Sequence, residues 1–250
     1  MVRNFFGFII LFTLFGSIKV EAMKRVKTQD DLGLKNKPCS MASVARNNDE
    51  DPFTIGLVLY NKGKYKESLL FFNHALFNGH VEANKIIGHV ENRIGFQFTT
   101  KPSRDYEEAR QWFNQAIDKG NPAAHYNFGI MLLKGHGTEK NFRAAVPYLE
   151  RARDLKHPKA KAVLQRVYYH LGMESMGYNV YEALVWFRNA YTSGHVDAKK
   201  MVGETERIIG YEVEKEGNFA EAKEWYQKAI ANGDTDAPGM LKILEVLMKK

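Results

Sequence analysis

The chain has 250 residues, of which 44% are hydrophobic, 26% charged and 12% aromatic, with a formal net charge of +7. That composition excludes a wholly disordered chain, a collagen and a disulfide scaffold. The single cysteine, Cys39, can neither close an intramolecular disulfide nor supply a multi-thiolate zinc cage.

Residues 1–22 begin with Arg3, continue through an apolar or small run from Phe5 to Ile18, and end on Val20-Glu21-Ala22. A basic start, a short apolar core and a small-x-small end predict a secretory signal peptide cleaved after Ala22. A spanning helix needs about 20 apolar residues, and Lys19 arrives before that length is reached. Removing the leader takes away Arg3, Lys19 and Glu21, so the formal charge falls from +7 to +6. The mature chain is expected to be secreted or periplasmic, without a transmembrane helix, and its basic surface favours acidic partners. Nucleic acid is a poor fit, because no dense Lys/Arg stripe is interleaved with aromatics. Residues 23–50 are polar, mixed in charge and without period, and predict a loosely docked arm. Cys39 lies there beside Pro38 with no local base, which suits an incidental thiol better than a catalytic one.

From Asp51 onward the chain repeats itself. Ala83, Ala124, Ala160, Ala198 and Ala237 are 41, 36, 38 and 39 residues apart. The sets Ala75, Ala116, Ala152, Ala190, Ala229 and Ser68, Ala109, Ala145, Ala183, Ala222 give the same intervals. The doublets Phe71-Phe72, Trp112-Phe113, Tyr148-Leu149, Trp186-Phe187 and Trp225-Tyr226 follow suit. Repeats of this length mean stacked supersecondary units. The boundaries fall near 51–82, 83–121, 122–157, 158–195 and 196–237, with a closing helix over 238–250.

Each unit resolves into two amphipathic helices. In the second, small and aromatic residues such as Ala109, Phe113 and Ala116 share one face. Asp105, Asn141, Asn179 and Asn218 are placed as its N-caps, and Glu108, Glu182 and Glu221 as capping-box carboxylates reaching back. Lys64 replaces the cap in the first unit, whose second helix is expected to fray. Gly79, Gly120, Gly194 and Gly233 mark turns between units, and Gly135-His136-Gly137 a turn within the third. Pro122 and Pro158 are expected just inside their helices.

Unit length and residues resemble the Sel-1-like repeat, a relative of the tetratricopeptide repeat. The matching positions are Ala124, Phe128-Gly129, Gly135-His136-Gly137 and Ala145, with Ala83 and Gly88, Ala198 and Gly203, and Ala222, Trp225-Tyr226, Ala229, Gly233 and Ala237. Gln165 stands where this alignment puts the first-helix glycine, and Pro147 interrupts the third unit's second helix. The resemblance implies an all-α, right-handed α-α superhelix (solenoid) of about five repeats. It also implies a concave surface built from the first helices, at positions three before, one after and four after the glycine. Those positions are Lys85, His89 and Asn92; Tyr126, Ile130 and Leu133; Ala162, Arg166 and Tyr169; and Lys200, Glu204 and Arg207. Each trio shares one helix face, and the chemistry, basic and aromatic around an apolar middle, suits a protein or peptide partner of acidic character, above all an extended peptide with acidic groups or a carboxyl terminus.

Catalytic motifs are missing: there is no His-Glu-x-x-His, paired-Cys metal site, Walker loop or Gly-x-Ser-x-Gly elbow. His80, His157 and His195 recur at one turn of separate units, too far apart to share an ion, and are expected to be solvated. Trp112, Trp186 and Trp225 recur at the repeat period and are expected in the core between helices. The resulting expectation is an exported, non-enzymatic interaction scaffold with no cofactor or metal, serving envelope processes or contact with host cells. The alternatives are a periplasmic regulator that binds a cell-wall enzyme and a carbohydrate-active hydrolase with an unrecognised site.

Overall fold

A computed structural model describes residues 51–249 except 101 and 103. The expectations for the signal peptide, the arm at 23–50 and Cys39 lie outside the described residues. Among those residues the structure is entirely helical. Five helix pairs occur in order: α1 (Pro52–Asn61) with α2 (Tyr65–Phe77), α3 (Ala83–Thr100) with α4 (Tyr106–Asp118), α5 (Pro122–Lys134) with α6 (Phe142–Asp154), α7 (Ala160–Ser175) with α8 (Val180–Ser193), and α9 (Ala198–Lys215) with α10 (Phe219–Ala231). The last helix, α11, runs Ala237–Leu247.

The chain forms two compact units, one ending at Ala124 and the other starting at His125. In the first, α1 packs on α2, α2 on α3 and α3 on α4. In the second, each helix from α6 to α11 packs on its successor. The α5 helix meets α6 through Phe128 and Tyr148, whose ring centroids are 4.6 Å apart. Within each unit a helix thus buries its apolar face on its sequence neighbours, which is how a helical repeat acquires a core.

All three small-residue sets mark buried seams. Ala83, Ala124, Ala160, Ala198 and Ala237 are inaccessible, as are Ser68, Ala109, Ala145, Ala183 and Ala222, and Ala75, Ala116, Ala152, Ala190 and Ala229. Small side chains at these positions let backbones approach until the neighbouring ring fills the gap. Phe72, Phe113, Phe187 and Tyr226 are fully buried, each worth about 1.5–3 kcal/mol of hydrophobic burial.

The register of the first-helix glycine differs from the sequence alignment. The glycines facing these rings are Gly56, Gly95, Gly129, Gly172 and Gly210. A Cβ there would lie 2.8 Å from Phe72, 2.9 Å from Phe113, 2.8 Å from Leu149, 2.5 Å from Phe187 and 2.9 Å from Tyr226. Gly88 and Gly203 face Lys119 and Ala229 instead, and Gln165 replaces no glycine. The cause is a difference in helix length. The α3, α7 and α9 helices run 18, 16 and 18 residues, whereas α5 runs 13. Their glycines come seven residues later from the seam alanine, which is two helical turns. Only α5 spends that length on a Gly-x-Gly turn, with Gly135 and Gly137 at φ 68° and 71°.

Helix starts follow the capping expectation with one change. Asp105, Asn141, Asn179 and Asn218 accept hydrogen bonds from the amides of Glu108, Ala144, Glu182 and Glu221. Their own amides, however, donate to the carbonyls of Phe98, Leu132, Ser175 and Val213 on the preceding helix. With that donor already used, the carboxylates of Glu108, Glu182 and Glu221 reach forward and accept from the indole N–H of Trp112, Trp186 and Trp225. Trp112 is buried; Trp186 and Trp225 are only half-buried. Lys64 makes no side-chain cap. Pro122 opens α5, but Pro158 lies in the turn before α7. Pro147 is accommodated inside a continuous α6.

Candidate functional site

The first helices of the pairs (α1, α3, α5, α7, α9) carry the predicted partner residues, and the structure sorts them into two kinds. Lys85, His89, Arg166 and Lys200 are exposed. Lys200 forms an ion pair with Glu204 at 3.5 Å on the helix surface. Ile130 and Leu133 are half-buried.

The others are engaged in holding one helix pair to its turn. Tyr126 stacks on His157 and Tyr169 on His195, each with centroids 4.2 Å apart. Arg207 binds the buried Asp234 at 3.1 Å and approaches Asp236 at 3.9 Å. Asn92 is buried, and its neighbour on the face, His89, is hydrogen-bonded to Asn121 at 3.0 Å. In α1 the same register holds Phe53, stacked on His80 at 3.9 Å. Position three before the true glycine is therefore Phe53, Asn92, Tyr126, Tyr169 or Arg207. In four of these five units it pairs with the residue that closes the turn. His80, His157 and His195, expected to be solvated, are half-buried and stacked ring on ring. Their amides, with those of Asn121 and Asp234, donate to Ala75, Ala152, Ala190, Ala116 and Ala229 and terminate the second helix of each pair.

Two buried carboxylates escaped the sequence reading. Glu91 accepts from Lys119 at 2.9 Å. Glu206, on α9, is held by Arg188 on α8 at 2.8 Å and by Asn232 at 2.7 Å. At the corresponding place in α7, the Tyr168 hydroxyl donates to Glu150 at 2.5 Å. These buried polar groups tie α3, α7 and α9 to a neighbouring second helix or the residue that ends it, and pairing offsets the cost of burying them.

The residue immediately after the true glycine does something different. It is Leu57, Phe96, Met173 or Tyr211, with 36%, 46%, 49% and 43% of its surface exposed, and in α5 it is the half-buried Ile130. A large apolar side chain left in water at one register of successive units cannot be assigned to the core, since its neighbours there are at the surface. The sequence did contain a signal for this row: the apolar-glycine doublets Ile55-Gly56, Ile94-Gly95, Phe128-Gly129, Leu171-Gly172 and Ile209-Gly210.

Shifted ionisations have local, structural causes. Burial, and then a nearby cation, holds His125 and His157 below the usual histidine range; the cations are Arg151 and Lys159. Glu107, Glu182 and Glu245 are held low by hydrogen bonds to Arg110, Arg143 and Lys223 at the surface. Among the described residues no group of three His, Cys, Asp or Glu side chains could hold a metal ion, and no helix is long and apolar enough to cross a membrane.

Against known proteins, the Sel1 repeat family model matches residues 100–121, 122–157 and 209–234. The ERAD-associated E3 ubiquitin-protein ligase component HRD3B of Arabidopsis thaliana is 30% identical over 84 residues, which is 32% of this chain and 12% of that protein. The chain therefore spans about an eighth of the length of that relative. A crystal structure of a Sel1 repeat protein from Oxalobacter formigenes is 22% identical, covering 77% of this chain and 87% of that one, with a TM-score of 0.37. The protective antigen c5321 of uropathogenic Escherichia coli, which displays an SLR fold, is 18% identical over 78% of this chain and 48% of its own, with a TM-score of 0.34.

Proposed function

From the premise that the chain is a Sel1-repeat protein, we propose that it is a non-catalytic scaffold that binds a protein partner through the exposed faces of its first helices. The observation that carries this reading is the row at the position after the glycine, where Phe96, Met173 and Tyr211 stay exposed while the seams beside them are fully buried. A chain that buries its alanines completely, yet leaves large apolar groups in water at a repeated register, has a surface suited to a partner.

The finer reading is that the protein is exported and acts in envelope processes or in contact with host cells, with a partner of acidic character. The apolar run at 5–18 and the basic balance of the chain support it. Mass measurement of the mature protein should give a chain beginning at Met23; an intact Met1 would remove the export reading.

The scaffold itself is tested with a photo-crosslinking residue at Tyr211, and in parallel at Val185 on the second-helix face, followed by identification of the captured protein from the cell's own envelope and medium. One dominant captured protein is the expected result. Capture of nothing at either position by a fully helical chain would refute the scaffold reading.

A further inference from the structure

Resting on the scaffold reading, the geometry points to an occupant: we propose that the first-helix face of the second unit takes an amphipathic α-helix of the partner, apolar along one edge and acidic along the other.

The face is organised as two rails. On α7, Arg166 is exposed and Met173, seven residues on, is exposed; on α9, Lys200 and Tyr211 stand 11 residues apart and are both exposed. At 100° per residue, spacings of seven and 11 each fall within about 20° of a whole number of turns, so each cation and its apolar partner point the same way. At 1.5 Å per residue, the rails are about 10 Å apart on α7 and about 16 Å apart on α9. An α-helix with its side chains is about 10–12 Å across. That width matches the separation on α7, and long acidic side chains extend the helix's reach toward Lys200 on α9, so a helix lying across α7 and α9 presents one edge to each rail.

Charge selects the edge. Arg166 has no carboxylate partner among the described residues, and Glu204 offsets Lys200 only through an exposed contact at 3.5 Å, which is weak. Acidic residues along one edge of the partner helix complement this rail. Apolar residues at i, i+4 and i+7 along the other edge cover Met173 and Tyr211 and remove exposed hydrocarbon from water.

The test uses three labelled peptides of about five turns each, mixed with the full chain at low ionic strength and followed by fluorescence anisotropy. One has a leucine stripe with a glutamate edge, the second the same stripe with a lysine edge, and the third the glutamate peptide's composition rearranged to alternate apolar and polar residues. The glutamate-edged helix should bind at least about tenfold more tightly than the other two. Met173→Glu with Tyr211→Glu should abolish that binding without loss of helicity. Arg166→Glu with Lys200→Glu should reverse the preference toward the lysine-edged peptide. Equal or tighter binding of the alternating peptide, or indifference to Met173→Glu with Tyr211→Glu, would overturn the proposal. A partner captured at Val185 but not at Tyr211 would also overturn it while leaving the scaffold reading intact.

Discussion

Replacing Gly172 by alanine separates the two possible registers of the first helix. Glycine inside a helix costs about 1 kcal/mol relative to alanine, so propensity alone predicts that Gly172→Ala stabilises the protein. The structure predicts the opposite. The new Cβ would lie 2.5, 2.6 and 2.9 Å from the Cε1, Cδ1 and Cζ atoms of Phe187, against a comfortable carbon–carbon separation of about 3.5–4.0 Å. Phe187 is fully buried, so its ring must move by about 1 Å into occupied space. Overpacking of that kind costs about 1–3 kcal/mol, and the upper half of the range applies because the obstruction is a rigid ring. After the propensity gain, a net loss of about 1–2 kcal/mol remains. For a chain of this size that lowers the melting temperature by about 2–8 °C. Thermal unfolding followed by circular dichroism measures it. In a Phe187→Val background, which lacks the three obstructing ring atoms, Gly172→Ala should become stabilising. A rise in melting temperature on the wild-type background would show that α7 does not approach α8 as described.

Gln165→Gly supplies the converse: it should cost about 1 kcal/mol of helix propensity and the hydrogen bond that Gln165 donates to the Ser193 carbonyl, and a neutral or stabilising outcome would restore the alignment that put a glycine there. Lys156, at φ 64°, is the sole non-glycine residue with positive φ among the described residues, so Lys156→Gly should stabilise by about 1 kcal/mol in chemical denaturation, and no gain would mean the turn is not left-handed. His125 and His157 are held below their ordinary value mainly by burial, so the unfolded chain binds more protons than the folded one and stability is lost as pH falls through about 6.5. Melting temperature should drop between about pH 7 and pH 5, less steeply in His157→Asn, and a flat profile would contradict the burial of these rings. Arg188→Met leaves the buried Glu206 with only Asn232 and should destabilise by about 1–2 kcal/mol, discounted because Arg188 is half exposed; Glu206→Gln added to it should recover part of the loss in the same denaturation assay.

The helix pairs were legible because their signals are local and redundant. Three small-residue sets and one aromatic doublet share a single register, and every member of the small sets is buried. The N-caps were legible for the same reason: Asp105, Asn141, Asn179 and Asn218 each act on an amide three residues away. What was not legible was the competition for a donor. Glu108 sits where a capping-box carboxylate belongs, but the amide it would bind is already given to the Phe98 carbonyl across the turn. The turn histidines were misread for a related reason, since nothing within a few residues of His157 or His195 announces Tyr126 or Tyr169 about 30 positions earlier in the chain.

The glycine register failed through a property of the helix itself. Seven residues turn through 700°, which is only 20° short of two whole turns. An alignment anchored on Ala83, Ala160 and Ala198 can therefore slip by seven and still place every residue on the correct face, at the wrong height. This is why Lys85, Arg166 and Lys200, chosen from a mistaken glycine, nevertheless lie on the same face as Phe96, Met173 and Tyr211. In α3, α7 and α9 the slip left out Phe96, Met173 and Tyr211, whereas in α5, where the glycine was placed correctly, the reading reached Ile130 in the same row. Periodicity fixes the direction in which a side chain points, and only packing against a second helix, such as Phe187 on Gly172, fixes how far along the axis it stands.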